Sequence, residues 1–200
     1  MPGRRAPRLL RSVGALAVRE DGGMASVAIL VNGLPGSGKT TLSATLAGVL
    51  GCPLLAKDPV KEALVDLAGP MIDPHALGGI AMDAVWAMAG EVEAGVVVDS
   101  FWHRERDLEH ARAGVERAGS PRTVEVWCDV DPEVALQRVV DRLAAGGRHP
   151  AHGTVDSARA AWPTWAAGAE PLGGWPVIRV DTSAPVDMDD LVMQISARFV

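Results

Sequence analysis

The sequence has few cysteines and no long apolar run, and these shortages exclude two classes of protein. Cys52 and Cys128 are single residues in apolar segments, without a CxxC pair or a histidine at metal-ligand spacing. This pattern excludes a disulfide framework and a zinc ribbon, and it predicts buried, reduced thiols in a cytoplasmic protein. No stretch of about 18 uncharged apolar residues is present, so no membrane-spanning helix is predicted.

Positive charge is also scarce. The chain has 19 Lys and Arg residues against 25 Asp and Glu residues, which gives a formal net charge of −6. A chain without a basic surface is a poor partner for a phosphate backbone, so nucleic acid binding is disfavoured. Three of the cations are lysines, Lys39, Lys57 and Lys61, and all three lie in one stretch.

Residues 1–23 differ in charge from the rest of the chain. Five arginines against two acids give them a charge of +3, which leaves −9 for residues 24–200. Their apolar stretch is too short and too broken for a secretion signal. We expect residues 1–23 to be a disordered extension or the product of a start codon assigned too early. Residues 24–200 are expected to form one domain.

Short β-branched runs alternate with segments of helical periodicity over that domain. Strands are predicted at residues 27–32, 54–57, 95–100, 123–130 and 177–180. Helices are predicted at residues 39–50, from 59 onward, at 75–93, 108–118, 132–143 and 186–199, with a weaker one ending at 167. Residues 144–153 are expected to be flexible. This order predicts a three-layer α/β fold around a parallel five-stranded sheet.

A glycine-rich segment carries the most specific motif. Residues 33–40, GLPGSGKT, match GxxxxGK[ST] between the first predicted strand and helix. Such glycines let backbone N–H groups surround a polyphosphate, and the helix N-terminus adds positive potential. Lys39 is predicted to reach the β- and γ-phosphates, and Thr40 to bind Mg²⁺. The predicted nucleotide-binding residues of the loop are Gly33, Pro35, Gly36, Ser37, Gly38, Lys39, Thr40 and Thr41.

Three further segments extend this pattern: an Asp after the second strand, VVVDS at the third, and an arginine-rich stretch after CDVDPEVAL. With the glycine-rich loop, they make residues 26–200 resemble the small AAA-type P-loop kinases, in particular the group of zeta toxins, chloramphenicol phosphotransferase and the kinase domain of polynucleotide kinase. The resemblance implies a P-loop NTPase fold with a mobile arginine-rich lid. It also implies ATP and Mg²⁺ as cofactors and phosphoryl transfer to a hydroxyl group.

Two acids, Asp58 and Asp99, follow the second and third predicted strands and are expected to meet at the carboxyl edge of the sheet. The resemblance implies that Asp58 is the catalytic base and that Lys61 orients the acceptor. An Asp-Pro pair is also an ordinary helix cap with proline first, so capping is the alternative for Asp58. Asp99 matches the acid that holds a Mg²⁺-bound water or contacts substrate, and capping of the next turn is its alternative.

Arginines of the predicted lid supply positive charge for the phosphoryl group. The resemblance places the family's lid arginines here, and we assign Arg142 and Arg148 to catalysis and Arg138 to nucleotide binding. A solvated helix face is the alternative for each. His149 and His152 are expected to be loop residues without a catalytic role.

Six tryptophans and no tyrosine are present. Core packing is the ordinary role of Trp86, Trp102, Trp162 and Trp165, and an apolar wall of the acceptor pocket is the alternative. The resemblance implies that residues 181–185 lie where relatives hold the adenine edge. The predicted function is an ATP-dependent phosphotransferase for a small-molecule hydroxyl, with an antibiotic or a nucleoside-like metabolite as the favoured acceptor. The alternatives are a polynucleotide 5′-hydroxyl kinase and a non-catalytic nucleotide-binding module of a regulatory or toxin-like kind.

Overall fold

A computed structural model describes residues 26–69, 72–93, 95–146 and 148–199. The expected N-terminal extension lies outside the described residues. The elements are β1 (Val27–Asn32), α1 (Lys39–Leu50), β2 (Leu54–Ala56), α2 (Lys57–Ala68), α3 (Pro74–Gly90), β3 (Gly95–Asp99), α4 (Arg104–Arg117), β4 (Arg122–Asp129), α5 (Pro132–Ala144), a 3-10 turn (Pro150–His152), α6 (Val155–Ala167), β5 (Val177–Asp181) and α7 (Met188–Ala197).

The strands of the described residues form one five-stranded sheet in the order β2-β3-β1-β4-β5. Every neighbouring pair is parallel, and Leu30 of β1, for example, pairs with Val98 of β3. The predicted parallel sheet is therefore confirmed. Because all carboxyl ends lie at one edge, the loops after β1 and β3 and the start of α2 meet there.

The two faces of β1 belong to two separate hydrophobic layers. Val27, Ile29 and Val31 pack with buried residues of α1 and α7 on one face. Ala28 and Leu30 pack with α3 and α4 on the other face. A strand buried on both faces needs no polar alternation, which explains the apolar run in the sequence. No helix among the described residues is long and apolar enough to cross a membrane.

The start of α2 differs from the prediction. The helix begins at Lys57, so Asp58 is its second residue, and Ala56 is the N-cap without a side-chain hydrogen bond. Pro59 is tolerated at the third position because the first N–H groups of a helix have no intrahelical partner. The capping interpretation of Asp58 is therefore wrong. Asp131, which also precedes a proline, does cap its helix α5, because its side chain accepts from the backbone N–H of Glu133.

Candidate active site

The glycine-rich loop wraps tightly between β1 and α1. Gly36 has a φ of +86°, and a side chain there would collide with the carbonyl oxygen of Ala135 in α5. The N–H of Ser37 donates to the carbonyl of Leu34 at 3.0 Å and closes the turn. The Oγ of Ser37 is buried without a hydrogen-bond partner among the described residues. A cradle that excludes Cβ atoms and leaves a polar atom unpaired fits a loop shaped around a polyphosphate.

A buried network fixes this loop to the sheet. Asn32 Oδ1 accepts from the N–H groups of Gly33 at 2.8 Å and Trp102 at 3.0 Å. Its Nδ2 donates to Glu125 Oε1 at 3.0 Å. Glu125 is fully buried and also accepts from the two N–H groups of residues 172–173. These hydrogen bonds replace the hydration of the carboxylate, so the network can lie in the core.

Lys39 reaches back over the glycine-rich loop. Its Nζ donates to the carbonyl of Leu34 at 3.4 Å. Burial lowers the pKa of Lys39, and the carboxylates of Asp99 and Asp58 act in the opposite direction. An ammonium has three donors, so this one keeps donors for phosphate oxygens.

Asp99 ends β3 beside the loop and is buried. Its Oδ1 has no hydrogen-bond partner in the part of the chain that the structure describes. Burial raises the pKa of Asp99, whereas Lys39 and the Thr40 hydroxyl lower it. No group of three or more His, Cys, Asp or Glu residues that could hold a metal ion occurs in the described ranges. One carboxylate and one hydroxyl fit Mg²⁺, which keeps waters and substrate phosphates as its other ligands.

Asp58 faces the segment that follows α5. Its Oδ2 accepts from Arg148 Nη2 at 3.4 Å and lies 3.9 Å from His152 Nδ1. The Asp58 side chain is nevertheless 52% exposed. His152 Nε2 lies 2.6 Å from Glu62 Oε1 on the next turn of α2. The carboxylate of Asp58 is thus accessible, and its contacts with Arg148 and His152 are both long.

Residues 148–152 pack along α2. Lys61 Nζ donates to the carbonyl of Ala151 at 3.0 Å, and His149 Nε2 lies 3.0 Å from Asp66 Oδ1. The segment that the sequence predicts to be flexible therefore contains a 3-10 turn with specific contacts to a helix. Motion of a lid in this region stays a prediction.

A cavity of about 310 Å³ opens at this edge of the sheet. The predicted site residues among its lining are Pro35, Lys39, Asp58, Lys61, Asp99 and Arg148. Its aromatic lining consists of Phe101, Trp102 and Trp165. Trp86 and Trp162 are instead buried in the core. For these two residues the core-packing role is confirmed, and the alternative of an apolar wall of the acceptor pocket is wrong.

Arg138 and Arg142 lie outside the lining of this cavity. Arg138 Nη1 donates to the carbonyl of Gly36 at 3.4 Å, and Arg142 Nε donates to the carbonyl of Arg138 at 3.1 Å. Burial and the neighbouring charge of Arg148 lower the pKa of Arg142. The three predicted arginines therefore concentrate positive charge beside the glycine-rich loop.

A second cavity, of about 370 Å³, lies at the other end of that loop. Its lining includes Gly38 and Thr41 of the motif and Thr182 from the loop after β5. Thr182 Oγ1 donates to the carbonyl of Ser37 at 2.6 Å, which attaches residues 181–185 to the glycine-rich loop. The adenine contact implied for residues 181–185 thus has a cavity beside it.

A family model, AAA_33, described as an AAA domain, matches residues 29–162. The match spans about two thirds of the chain, from β1 through α6. The chain belongs to the AAA_33 family. No curated protein matches this AAA_33 domain.

Solved structures resemble this AAA_33 domain over most of their length. A candidate kinase from Chloroflexus aurantiacus is 27% identical, with a TM-score of 0.74 over 88% of this chain and 99% of that chain. A gluconokinase from Sinorhizobium meliloti is 20% identical, with a TM-score of 0.51 over 88% and 91% of the two chains. The second likeness shows the fold alone. The predicted fold of the small P-loop kinases is confirmed.

Sequence reasoning missed three features of the AAA_33 site. Glu125 interrupts an apolar strand, and an acid in a predicted buried strand was a signal for an internal network. His152, for which no catalytic role was expected, also lines the cavity. Arg106 also lines the cavity, and no local motif marks it.

Proposed function

We propose that this AAA_33 protein is an ATP- and Mg²⁺-dependent phosphotransferase that acts on a hydroxyl group of a small molecule. The observation that carries the proposal is that Lys39, Asp58 and Asp99 line one cavity beside the glycine-rich loop. Phosphoryl transfer to an alcohol needs a carboxylate on the acceptor side of the phosphates, whereas nucleotide binding alone does not.

Asp58 is the proposed base. It accepts the proton of the acceptor hydroxyl and directs the oxygen at the γ-phosphorus, to which the new O–P bond forms as the bond to ADP breaks. Its carboxylate is exposed in the cavity and does not cap α2. Lys61, one turn further along the same helix, orients the acceptor in this proposal.

The cations around the loop stabilise the transferred group. ATP would supply the phosphoryl group, and Mg²⁺, held by Thr40 and Asp99, would neutralise part of its charge. Lys39 binds the β- and γ-phosphates, and the forks of Arg142 and Arg148 match the phosphoryl oxygens. Arg138 contacts nucleotide from the side of the loop.

The Asp58–Arg148 ion pair gives a reason for lid motion. A carboxylate paired with a guanidinium is a weaker proton acceptor, so this pair has to open for Asp58 to act as the base. Arg148 is then free to turn toward the γ-phosphate. We therefore propose that residues 148–153 are part of the mobile lid and close over the acceptor.

The lining of the cavity suggests the class of acceptor. Phe101, Trp102 and Trp165 offer an apolar wall for a ring or another flat group. An antibiotic or a nucleoside-like metabolite with a free hydroxyl has such a group, and we propose these as the first acceptors to test. A role in antibiotic resistance and a cytoplasmic location belong to this proposal.

The test is ADP release with saturating Mg–ATP over a panel of hydroxylated antibiotics, nucleosides, sugars and hydroxy acids. We expect at least one compound to raise ADP release well above the rate with water, and to do so far less in Asp58→Ala. Tight ATP binding together with no acceptor above the water rate would overturn the proposal and favour a nucleotide-binding module of a regulatory or toxin-like kind.

A polynucleotide 5′-hydroxyl kinase is the second enzymatic candidate. Against it stands the charge of −9 on residues 24–200, because binding a phosphate backbone releases counterions and needs a basic surface. Oligonucleotides with a free 5′-hydroxyl therefore belong in the same panel. Salt-sensitive turnover of these oligonucleotides would favour this candidate over a small-molecule kinase.

A further inference from the structure

The acceptor side of the cavity contains two cations that the proposed transfer does not use. Lys57 is the first residue of α2, and Arg106 lies in the first turn of α4. Both line the cavity together with Asp58. Neither belongs to the glycine-rich loop or to the predicted lid, and the proposed transfer assigns neither of them to the nucleotide.

Lys57 occupies an unfavourable position for a cation. Burial lowers its pKa, and Lys61 and Arg106 lower it further, against the opposing effects of Asp58 and Asp107. The N-terminus of a helix repels positive charge, and lysines four residues apart on a helix repel each other. Among the described residues, the Lys57 ammonium makes no hydrogen bond or ion pair.

The neighbouring acids are already engaged. Asp107 accepts from Arg106 Nε at 2.8 Å and Nη2 at 2.7 Å, and from the N–H of His103 at 2.7 Å. Asp58 Oδ2 faces Arg148. Arg106 itself keeps its Nη1 amino group without a partner in the described part of the chain. The protein therefore leaves donors of two cations unpaired at one wall of the cavity.

Space for a ligand lies next to Lys57. Gly78 and Gly79 of α3 line the cavity, although glycine inside a helix is destabilising relative to alanine. A Cβ on Gly78 would come within 3.8 Å of the Lys57 Nζ, and a Cβ on Gly79 would meet nothing within 4 Å. The absence of these side chains keeps the approach to the ammonium open.

We propose that Lys57 and Arg106 form an anion subsite, so that the acceptor is a small hydroxylated molecule that also carries a carboxylate or phosphate group. The ammonium and the free guanidinium amino group donate to the anionic oxygens. Asp58 accepts the proton of the hydroxyl group, and the apolar wall packs against the part of the molecule between the hydroxyl and the anionic group. This inference rests on the proposed function and names its substrate class.

Binding of matched acid and neutral probes tests the subsite directly. The protein is first saturated with Mg²⁺ and a non-hydrolysable ATP analogue, so that the glycine-rich loop cannot bind the probes. Calorimetric titration then compares 3-hydroxybenzoate with 3-hydroxybenzamide for the carboxylate, and phenyl phosphate with phenol for the phosphate. We expect at least one acid to bind tenfold or more tightly than its neutral partner, and the better acid identifies the group.

Variants identify the side chain that causes the preference for the acidic probe. Lys57→Met is expected to remove the preference for the acid while leaving the affinity for the neutral probe and for the ATP analogue unchanged. Lys57→Arg is expected to keep most of the preference for the acid. Arg112→Met is the matched control, because Arg112 lies on α4 with Arg106, pairs with exposed Glu109 and does not line the cavity.

Three outcomes of the probe titrations would overturn the subsite: equal binding of acid and neutral probe to the wild type, an unchanged acid preference in Lys57→Met, or the same loss in Arg112→Met. Weaker binding of the ATP analogue in Lys57→Met would also overturn it, since Lys57 would then serve the nucleotide. An acid preference that depends on Lys57, without acceptor-stimulated ADP release from any compound, leaves the subsite standing while the proposed transfer fails. If acidic and neutral compounds stimulate ADP release equally, the proposed transfer stands and the anion subsite fails.

Discussion

The guanidinium of Arg148 lies 3.4 Å from the carboxylate of Asp58, and this pair joins the predicted lid to the predicted base. The arginine side chain is 22% exposed and the aspartate side chain 52% exposed. Each group offsets the charge that the other needs for its proposed role. In the proposed mechanism this arrangement is the resting site, and we expect arrival of the acceptor to separate the pair.

Replacement of the two acids separates their proposed roles. Asp58→Ala should lower kcat by about 10² to 10⁴, the usual contribution of a general base, with nucleotide affinity unchanged. Asp99→Ala should instead raise the Mg²⁺ concentration needed for half-maximal turnover. Steady-state kinetics over a Mg²⁺ series measure both effects. Glu109→Ala, which removes an exposed acid paired with Arg112, is the control, and near-normal turnover in Asp58→Ala would make Asp99 the better candidate for the base.

Arg148 should not be replaceable by lysine. Arg148→Ala should reduce kcat on the order of 10³ if the fork stabilises the transferred phosphoryl oxygens. Arg148→Lys should recover little, because an ammonium lacks the planar pair of donors. Single-turnover kinetics with saturating ATP separate this effect from nucleotide binding. Full recovery in the lysine variant would mean that only the charge matters.

Gly36 of the glycine-rich loop and Gly48 of α1 should respond in opposite ways to replacement by alanine. Gly36→Ala places a Cβ at a φ of +86° and against the Ala135 carbonyl, so nucleotide binding should be lost and stability reduced by at least about 1–2 kcal/mol. Gly48→Ala in α1 meets nothing within 4 Å and should stabilise the fold by about 0.5–1 kcal/mol. Urea unfolding and titration with a fluorescent ADP check both. Normal nucleotide affinity in Gly36→Ala would contradict the close fit of the loop.

Glu125→Gln should weaken the internal network. The carboxylate accepts on both oxygens, with Gly173 N–H at Oε2, whereas an amide presents an NH₂ group at one of these positions. Two donors then face each other in the core, which should cost about 1–3 kcal/mol of unfolding free energy. Urea unfolding measures the loss. Exposed Glu109→Gln is the control, and equal stabilities of the two variants would show that the buried acceptor is dispensable.

Cys128 should be inert toward thiol reagents. Burial raises the pKa of its thiol to about 12, so at pH 8 only about one molecule in 10⁴ carries the reactive thiolate. Mass spectrometry after alkylation of the native protein should find Cys128 unmodified, and both cysteines modified after unfolding. Cys52, predicted to be buried, is only partly buried and should react first. Rapid native labelling of Cys128 would indicate that β4 opens locally.

The sequence could predict the sheet and the glycine-rich loop because both depend on local patterns. The buried run of β1 and the positive φ values of the loop require residue types that are visible one by one. The first turn of α2 was harder, since Asp58-Pro59 is compatible with two helix starts that differ by two residues. The facing of Lys57 and Arg106 could not be predicted, because it depends on how α2 and α4 pack around the edge of the sheet.

The side chain of Asn32 binds the backbone on both sides of the site, at Gly33 and at Trp102. One side-chain amide therefore attaches both the glycine-rich loop and Trp102 of the apolar wall to β1. For protein engineering, the cavity therefore has residues that are coupled to the glycine-rich loop through Asn32 and residues that are not. If the proposed function holds, we expect changes at residues 100–102 to disturb nucleotide binding as well as acceptor choice. New acceptor preferences are better sought on α3, at Gly78, Gly79 and Met82, which line the cavity from a helix outside this network.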